Sequence, residues 1–312
     1  MDRVVIPGKA TYSRVALSDV AIAGPLVSRL LLGATAPGQV LAAASTGYYV
    51  GSAARDWWAR RKVRFIDFRE AFGADVDHLR PQPEEAREWE IRRLGQLLNE
   101  GFTEEQPSTE LLAEVINGRL TAYIADITGQ EVVTSHQVRS ITLARFFLPD
   151  ALGSCDPISG DIAVYQDIFP LTPHILAHEL CHRKGYLKEL HAQALSYLAL
   201  RTSGDPVLVQ AARAERLHRQ LKVYQRQSPT PMSPEALVNL AGLRAELRAA
   251  ISGWLPAPED AHHRGVMARL YDQRMRLSGQ NGLSDYDRGF LDFLWTFTHS
   301  EGASVPAHHA AL

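Results

Sequence analysis

From Pro173 to the C-terminus, apolar residues return every three or four positions, the spacing that gathers them on one face of an α-helix. The pattern predicts helices over about 173–184, 189–200, 207–226, 234–252, 258–277 and 284–297, with the proline pairs at 229–231 and 256–258 as breaks. Earlier, 83–102 reads as a charged amphipathic helix with Trp89, Ile91, Leu94, Leu97 and Leu98 on its inner side, and 109–124 as another, begun by Ser108 or Thr109. Only 131–168 changes period. There 138–147 alternates as a strand, a Gly/Asp/Pro turn follows, and 161–165 reads as a second strand; 63–68 is a further short one. The first 62 residues are rich in small side chains and weakly amphipathic, with two helices broken near Pro37 and Gly38. The expected class is therefore α+β, mostly helical, with a helical N-terminal extension over 1–62 and the main domain over 63–312.

At 312 residues the chain can hold one large domain or two modest ones. A net charge of −2 removes any electrostatic case for nucleic acid. Arg213, Arg216, Arg219, Lys222 and Arg226 recur at helical spacing around Glu215 and His218 and read as a solvated helix face. Two cysteines, Cys155 and Cys181, exclude a disulfide framework. The stretch 30–54 is uncharged, long enough to cross a bilayer, and followed by Arg55, Arg60, Arg61 and Lys62. Pro37, Gln39, several glycines and hydroxyl side chains make its hydropathy marginal, so buried or amphipathic helices are expected rather than a span. Trp57 and Trp58 beside the basic cluster leave contact with a membrane surface open. No cleavable signal peptide is expected, because Pro7 and Gly8 interrupt the start. The expected location is cytoplasmic, with membrane association through the N-terminal region as an addition.

The chemistry gathers in His178-Glu179-Leu180-Cys181-His182, an H-E-x-x-H run inside an apolar helical segment. Histidines four apart lie on one helix face, so both imidazoles can bind one zinc ion while the intervening Glu179 points at a water on it. Thr172 and Pro173 supply a helix start, and Gly185 a stop. A catalytic zinc needs a third protein ligand and an open fourth position. The metzincin place for a third histidine holds Lys188, which cannot ligate as an ammonium. Glu189, with Gln193 four residues on, fits the E-x-x-x-[DN] element of Glu-type zincins, in which the second residue orients a ligand histidine. His191 and Cys155 are competing ligands. The peptide deformylases pair H-E-x-x-H with an upstream Cys, but 153–157 reads here as a turn.

The block from Leu143 to Leu200, together with the Ser278–Tyr286 stretch that runs Ser-Gly-Gln-Asn-Gly-Leu-Ser-Asp-Tyr, resembles an uncharacterised bacterial family of predicted zinc peptidases. The resemblance covers roughly the second half of the chain. It departs at His191, where the family has an acidic residue, and in lacking clear N-terminal transmembrane helices. It implies a zincin-like catalytic domain of Glu type, with a small sheet beside the active-site helix and 161–167 as the edge that pairs with substrate. The expected activity is zinc-dependent hydrolysis of peptide bonds in a peptide or protein substrate. One Zn²⁺ is held by His178, His182 and Glu189, and a zinc-activated water reacts with Glu179 as general base. Tyr286 is the first candidate to stabilise the oxyanion, followed by Tyr186 and His174. The alternative is a zinc-binding but non-hydrolytic sensor or scaffold on the same fold.

Overall fold

The computed structural model describes residues 2–6, 16–139, 141, 152–156, 158–227, 232–252 and 266–311. Among them helices dominate and strands form two two-stranded sheets, so the mostly helical α+β class holds. Most of the expected strand at 138–147, and the proline pairs at 229–231 and 256–258, lie outside the described residues. The chain divides into two compact units, the first made of 1–65, 108–167 and 175–187, the second of 66–107, 168–174 and 188–312.

The first unit opens with β1 (Asp2–Val5), followed by α1 (Leu17–Leu32) and α2 (Ala36–Arg60). Thr35 caps α2, accepting from the Gly38 N–H, so the helix break falls at 33–35 and Pro37 sits in the first turn rather than at the break. In the second unit come α3 (Phe68–Phe72) and α4 (Glu84–Glu100). The first unit resumes with α5 (Thr109–Thr128), capped by Ser108 and closed at Gly129, whose φ of 70° only glycine adopts at no steric cost. Next, β2 (Gln130–Val133) pairs in parallel with β1, Asp2 opposite Gln130, so that Val4 and Val132 close a small core with Ile6 and Val63. Four residues at the N-terminus are too few to show a strand period, which is why the sequence reading lacks β1. The strand expected at 63–68 does not form: Val63 joins this core, the Arg64 N–H donates to Gln130 Oε1, and Asp67 caps α3.

β3 (Gly153–Cys155) runs antiparallel to β4 (Ile162–Val164), with Gly153 opposite Val164. Val138 bridges Ile162 in parallel on the other side of β4. Of the stretch 161–167, expected as the free edge, only Ile162 is bridged on both sides, by Cys155 and Val138; among the described residues no strand pairs with the outer side of β3. The turn expected at 153–157 is in part this strand.

The remaining helices are α6 (Thr172–Arg183), α7 (Glu189–Arg201), α8 (Pro206–Gln227), α9 (Pro234–Ala241), α10 (Ala245–Ser252), α11 (Val266–Leu277) and, after a 3₁₀ turn at Gly282–Tyr286, α12 (Arg288–Thr298). The helix expected over 234–252 is two, interrupted at Gly242. In the second unit α8 packs on α4 and α7, and Phe290, Phe293 and Phe297 of α12 are buried, the latter two meeting Phe68 and Phe72. Ile91, Leu94 and Leu98 turn inward as expected, but Trp89 is exposed. Among its described side chains, the basic run on α8 is not a solvated face. Arg216 is buried against Glu90, and Arg219 bonds to Glu215 and Asp287, the latter also meeting Lys222. Among the described residues no helix is long and apolar enough to cross a membrane.

Candidate metal centre

Helix α6 carries the H-E-x-x-H run, and its C-terminal end sets the site. At Gly185 the backbone takes a φ of 107°, and a Cβ there would stand 2.9 Å from Phe65. The turn brings Tyr186 N–H to the Cys181 carbonyl and directs the Tyr186 carbonyl back at His182, whose Nδ1–H donates to it over 2.7 Å. A carbonyl can only accept, so Nδ1 of His182 holds the proton and Nε2 presents a lone pair. That Nε2 lies 3.1 Å from His178 Nε2, the two rings nearly perpendicular. Two nitrogens on one tetrahedral zinc, each at about 2.0–2.1 Å, stand roughly 3.3 Å apart. The pair is thus spaced, and His182 polarised, as zinc ligands are.

Two buried cations anchor the same end of the helix. Arg183 donates to the carbonyls of Gly160, Ser135 and Gln137, and Lys184, wholly buried, donates to Thr121 Oγ1 and the Val132 carbonyl. Burial pulls the Lys184 amine down to about 7. At the other end, Thr172, expected as the residue before the helix, is its first residue, and its Oγ1 accepts from the Ile168 N–H. Glu179 is buried, with Oε1 2.8 Å from where a Cβ would be at Gly153 of β3. Only glycine lets the strand approach the carboxylate so closely.

Glu189 begins α7, where its N–H donates to Gln280 Oε1. It is 6% exposed, so although it opens a helix it is not a solvated acid of the first turn. Tyr271 Oη donates to Glu189 Oε1 over 2.6 Å, and Tyr286 Oη lies 3.5 Å from Tyr271 Oη. Burial and the Glu189 charge push the Tyr286 phenol well above its ordinary value, so it keeps its proton. His178 and His182 belong to the first unit and Glu189 to the second; two imidazole nitrogens and a carboxylate oxygen are the donor set that a zinc takes.

The other sequence candidates fall elsewhere. His191 stacks on Phe68 and its Nε2 donates to Asp75 over 2.7 Å. Burial, the largest influence, would raise the Asp75 carboxyl, but the His191 bond, the Val76 N–H and the charges of His191 and Lys188 together outweigh it and hold it low. Cys155 lies outside the ligand group; burial and then the Glu179 charge push its thiol up, away from the thiolate that zinc requires. Tyr186 contributes its carbonyl, while its ring packs edge-on to Phe65. Gln193 was expected to orient a ligand histidine; its amide instead donates to Glu215, which also faces His174 and Arg219. His174 meets Ser196 Oγ. Sequence reasoning missed Tyr271, Gly153, Arg183 and Lys184. Of these only Gly153, a glycine beside a strand, left a trace in the chain. No family model, characterised protein or solved structure matches this chain.

Proposed function

We propose that the chain is a zinc-dependent peptidase of Glu-zincin type, the metal held by His178, His182 and Glu189. The observation that carries the reading is the pair of Nε2 atoms 3.1 Å apart with the His182 tautomer fixed by the Tyr186 carbonyl. The resemblance of the second half to predicted zinc peptidases points the same way. Zinc bound there would supply Lewis acidity, polarising a carbonyl and acidifying a water. Glu179 accepts the proton of the attacking water and passes it to the leaving amine. Tyr286, protonated, donates to the oxygen on which negative charge develops. Tyr271 holds the Glu189 carboxylate in place. β3 offers the edge along which an extended peptide lies. A non-hydrolytic zinc protein needs no base, and Glu179, buried and placed over a strand glycine, speaks for hydrolysis.

The test is metal analysis of the full chain after mild purification, followed by cleavage of an unfolded protein substrate. The expected result is about one equivalent of zinc, with cleavage that a chelator abolishes and zinc restores. A chain that neither retains nor rebinds zinc would refute the reading. Tyr271→Phe removes a charge-assisted hydrogen bond from the third ligand, and outer partners of this kind are worth about 10- to 100-fold in metal affinity. Competition with a chromophoric chelator is expected to show about a tenfold loss with an unchanged far-UV spectrum.

A further inference from the structure

We propose that the α1–α2 hairpin docks the protein on the surface of an anionic lipid bilayer, lying along it. Between residues 21 and 50 only Ser28 and Gly38 are buried, and they touch each other: Ser28 Oγ donates to the Gly38 carbonyl over 2.8 Å. The seam continues at Gly24, where a Cβ would meet Ser45 Oγ. The large side chains point away from the seam. Leu30 is 84% and Leu31 77% exposed, with Leu26, Val40, Leu41 and Val50 also exposed. A helical pair made for water does the reverse, placing its apolar stripe between the helices. Small residues inside and leucines outside is how helices pack when lipid is the solvent.

Charge selects the occupant. No acidic residue occurs from 20 to 55, and Asp19 and Asp56, just beyond, are both buried. The hairpin's outward charge is therefore wholly cationic: Arg29 near the turn, and Arg55, Arg61 and Lys62 at the far end, all exposed. A second copy would bring like charges together, whereas anionic headgroups match them. Trp57 and Trp58 are exposed beside this cluster, with the Arg61 guanidinium 3.8 Å above the Trp57 ring, a pairing suited to the interface. Cations at both ends favour a hairpin lying flat, since end-on insertion would carry Arg29 into hydrocarbon.

The hairpin is rooted on the strands and on α6. The Leu17 N–H donates to Asp161, Tyr49 Oη to Asp156, and Arg60 to the Arg183 carbonyl. Docking therefore sets α6 close to the bilayer, whether or not zinc is bound. The experiment is flotation of the full chain with vesicles of phosphatidylcholine, pure or with about a third phosphatidylglycerol. The expected result is partitioning to the anionic vesicles that falls about tenfold or more on pure phosphatidylcholine and in high salt. The Leu30→Ser/Leu31→Ser variant, altered only at exposed positions, is expected to bind about tenfold more weakly. Absence of binding to the anionic vesicles, or equal binding by the variant, would overturn the proposal. So would a dimer in light scattering that the variant dissociates, since the face would then belong to a second copy.

Discussion

Glu179→Gln is expected to retain about one equivalent of zinc and to lose about 10³-fold or more in kcat, whereas His182→Ala loses both metal and turnover. The asymmetry follows from what each side chain does. A glutamine side chain keeps the volume of Glu179 and its approach to Gly153, where a Cβ would come within 2.8 Å of the carboxylate, so the surroundings have no reason to move. Its amide cannot accept a proton, and a positioned general base contributes about 10²- to 10⁴-fold. His182 instead supplies one of the two facing Nε2 atoms, and its ring bonds the Tyr186 carbonyl at the helix stop. Alanine there removes a ligand and strands a buried acceptor. Zinc content by mass spectrometry and single-turnover cleavage read the two quantities separately. A Glu179→Gln protein that still turns over, or a His182→Ala protein that holds zinc as tightly as its parent, would sink the assignment.

How far the sequence reaches is visible at particular residues. Helix periodicity located α4 through α8 closely, and the H-E-x-x-H spacing sufficed to bring His178 and His182 together, because one turn of helix determines that distance. Gly185 was legible as a stop, and its left-handed backbone is what turns the Tyr186 carbonyl onto His182. Partners far along the chain were not legible. Tyr271 reaches Glu189 across 82 residues, and Lys184 reaches Thr121 across 63, separations that no local period encodes. The α8 cations misled for the same reason. Their helical spacing is equally that of a solvated face and of a row meeting Glu90, Glu215 and Asp287, and only the packing of α8 decides between them. Gln193 erred by analogy: its spacing from Glu189 suits a partner to a ligand histidine, but Glu215 claims its amide.

The same α8 row yields the largest stability effect. Arg216→Met is expected to cost about 3–5 kcal/mol, read as a shift of the urea midpoint at pH 7 with unchanged slope. Arg216 is 3% exposed and grips both oxygens of Glu90, at 3.0 and 2.7 Å, while also donating to Tyr197 Oη and the Ala310 carbonyl. Methionine fills much of the volume but leaves the Glu90 charge buried, with the Gln220 amide as a remaining donor at 2.6 Å. Most of the cost is therefore the stranded carboxylate, not the lost attraction. That attribution has its own test: Glu90→Leu combined with Arg216→Met removes both charges, and the double variant is expected to recover most of the loss, since apolar replacement of a whole buried pair is often near neutral. Arg3→Ala, which breaks an exposed pair with Glu131 at 3.9 Å, is the control and is expected to cost less than about 1 kcal/mol. If Arg216→Met fell within that same range, the buried pair could not be what holds α8 to α4. If the double variant were as unstable as the single one, the cost would lie instead in the contacts with Tyr197 of α7 and the Ala310 carbonyl.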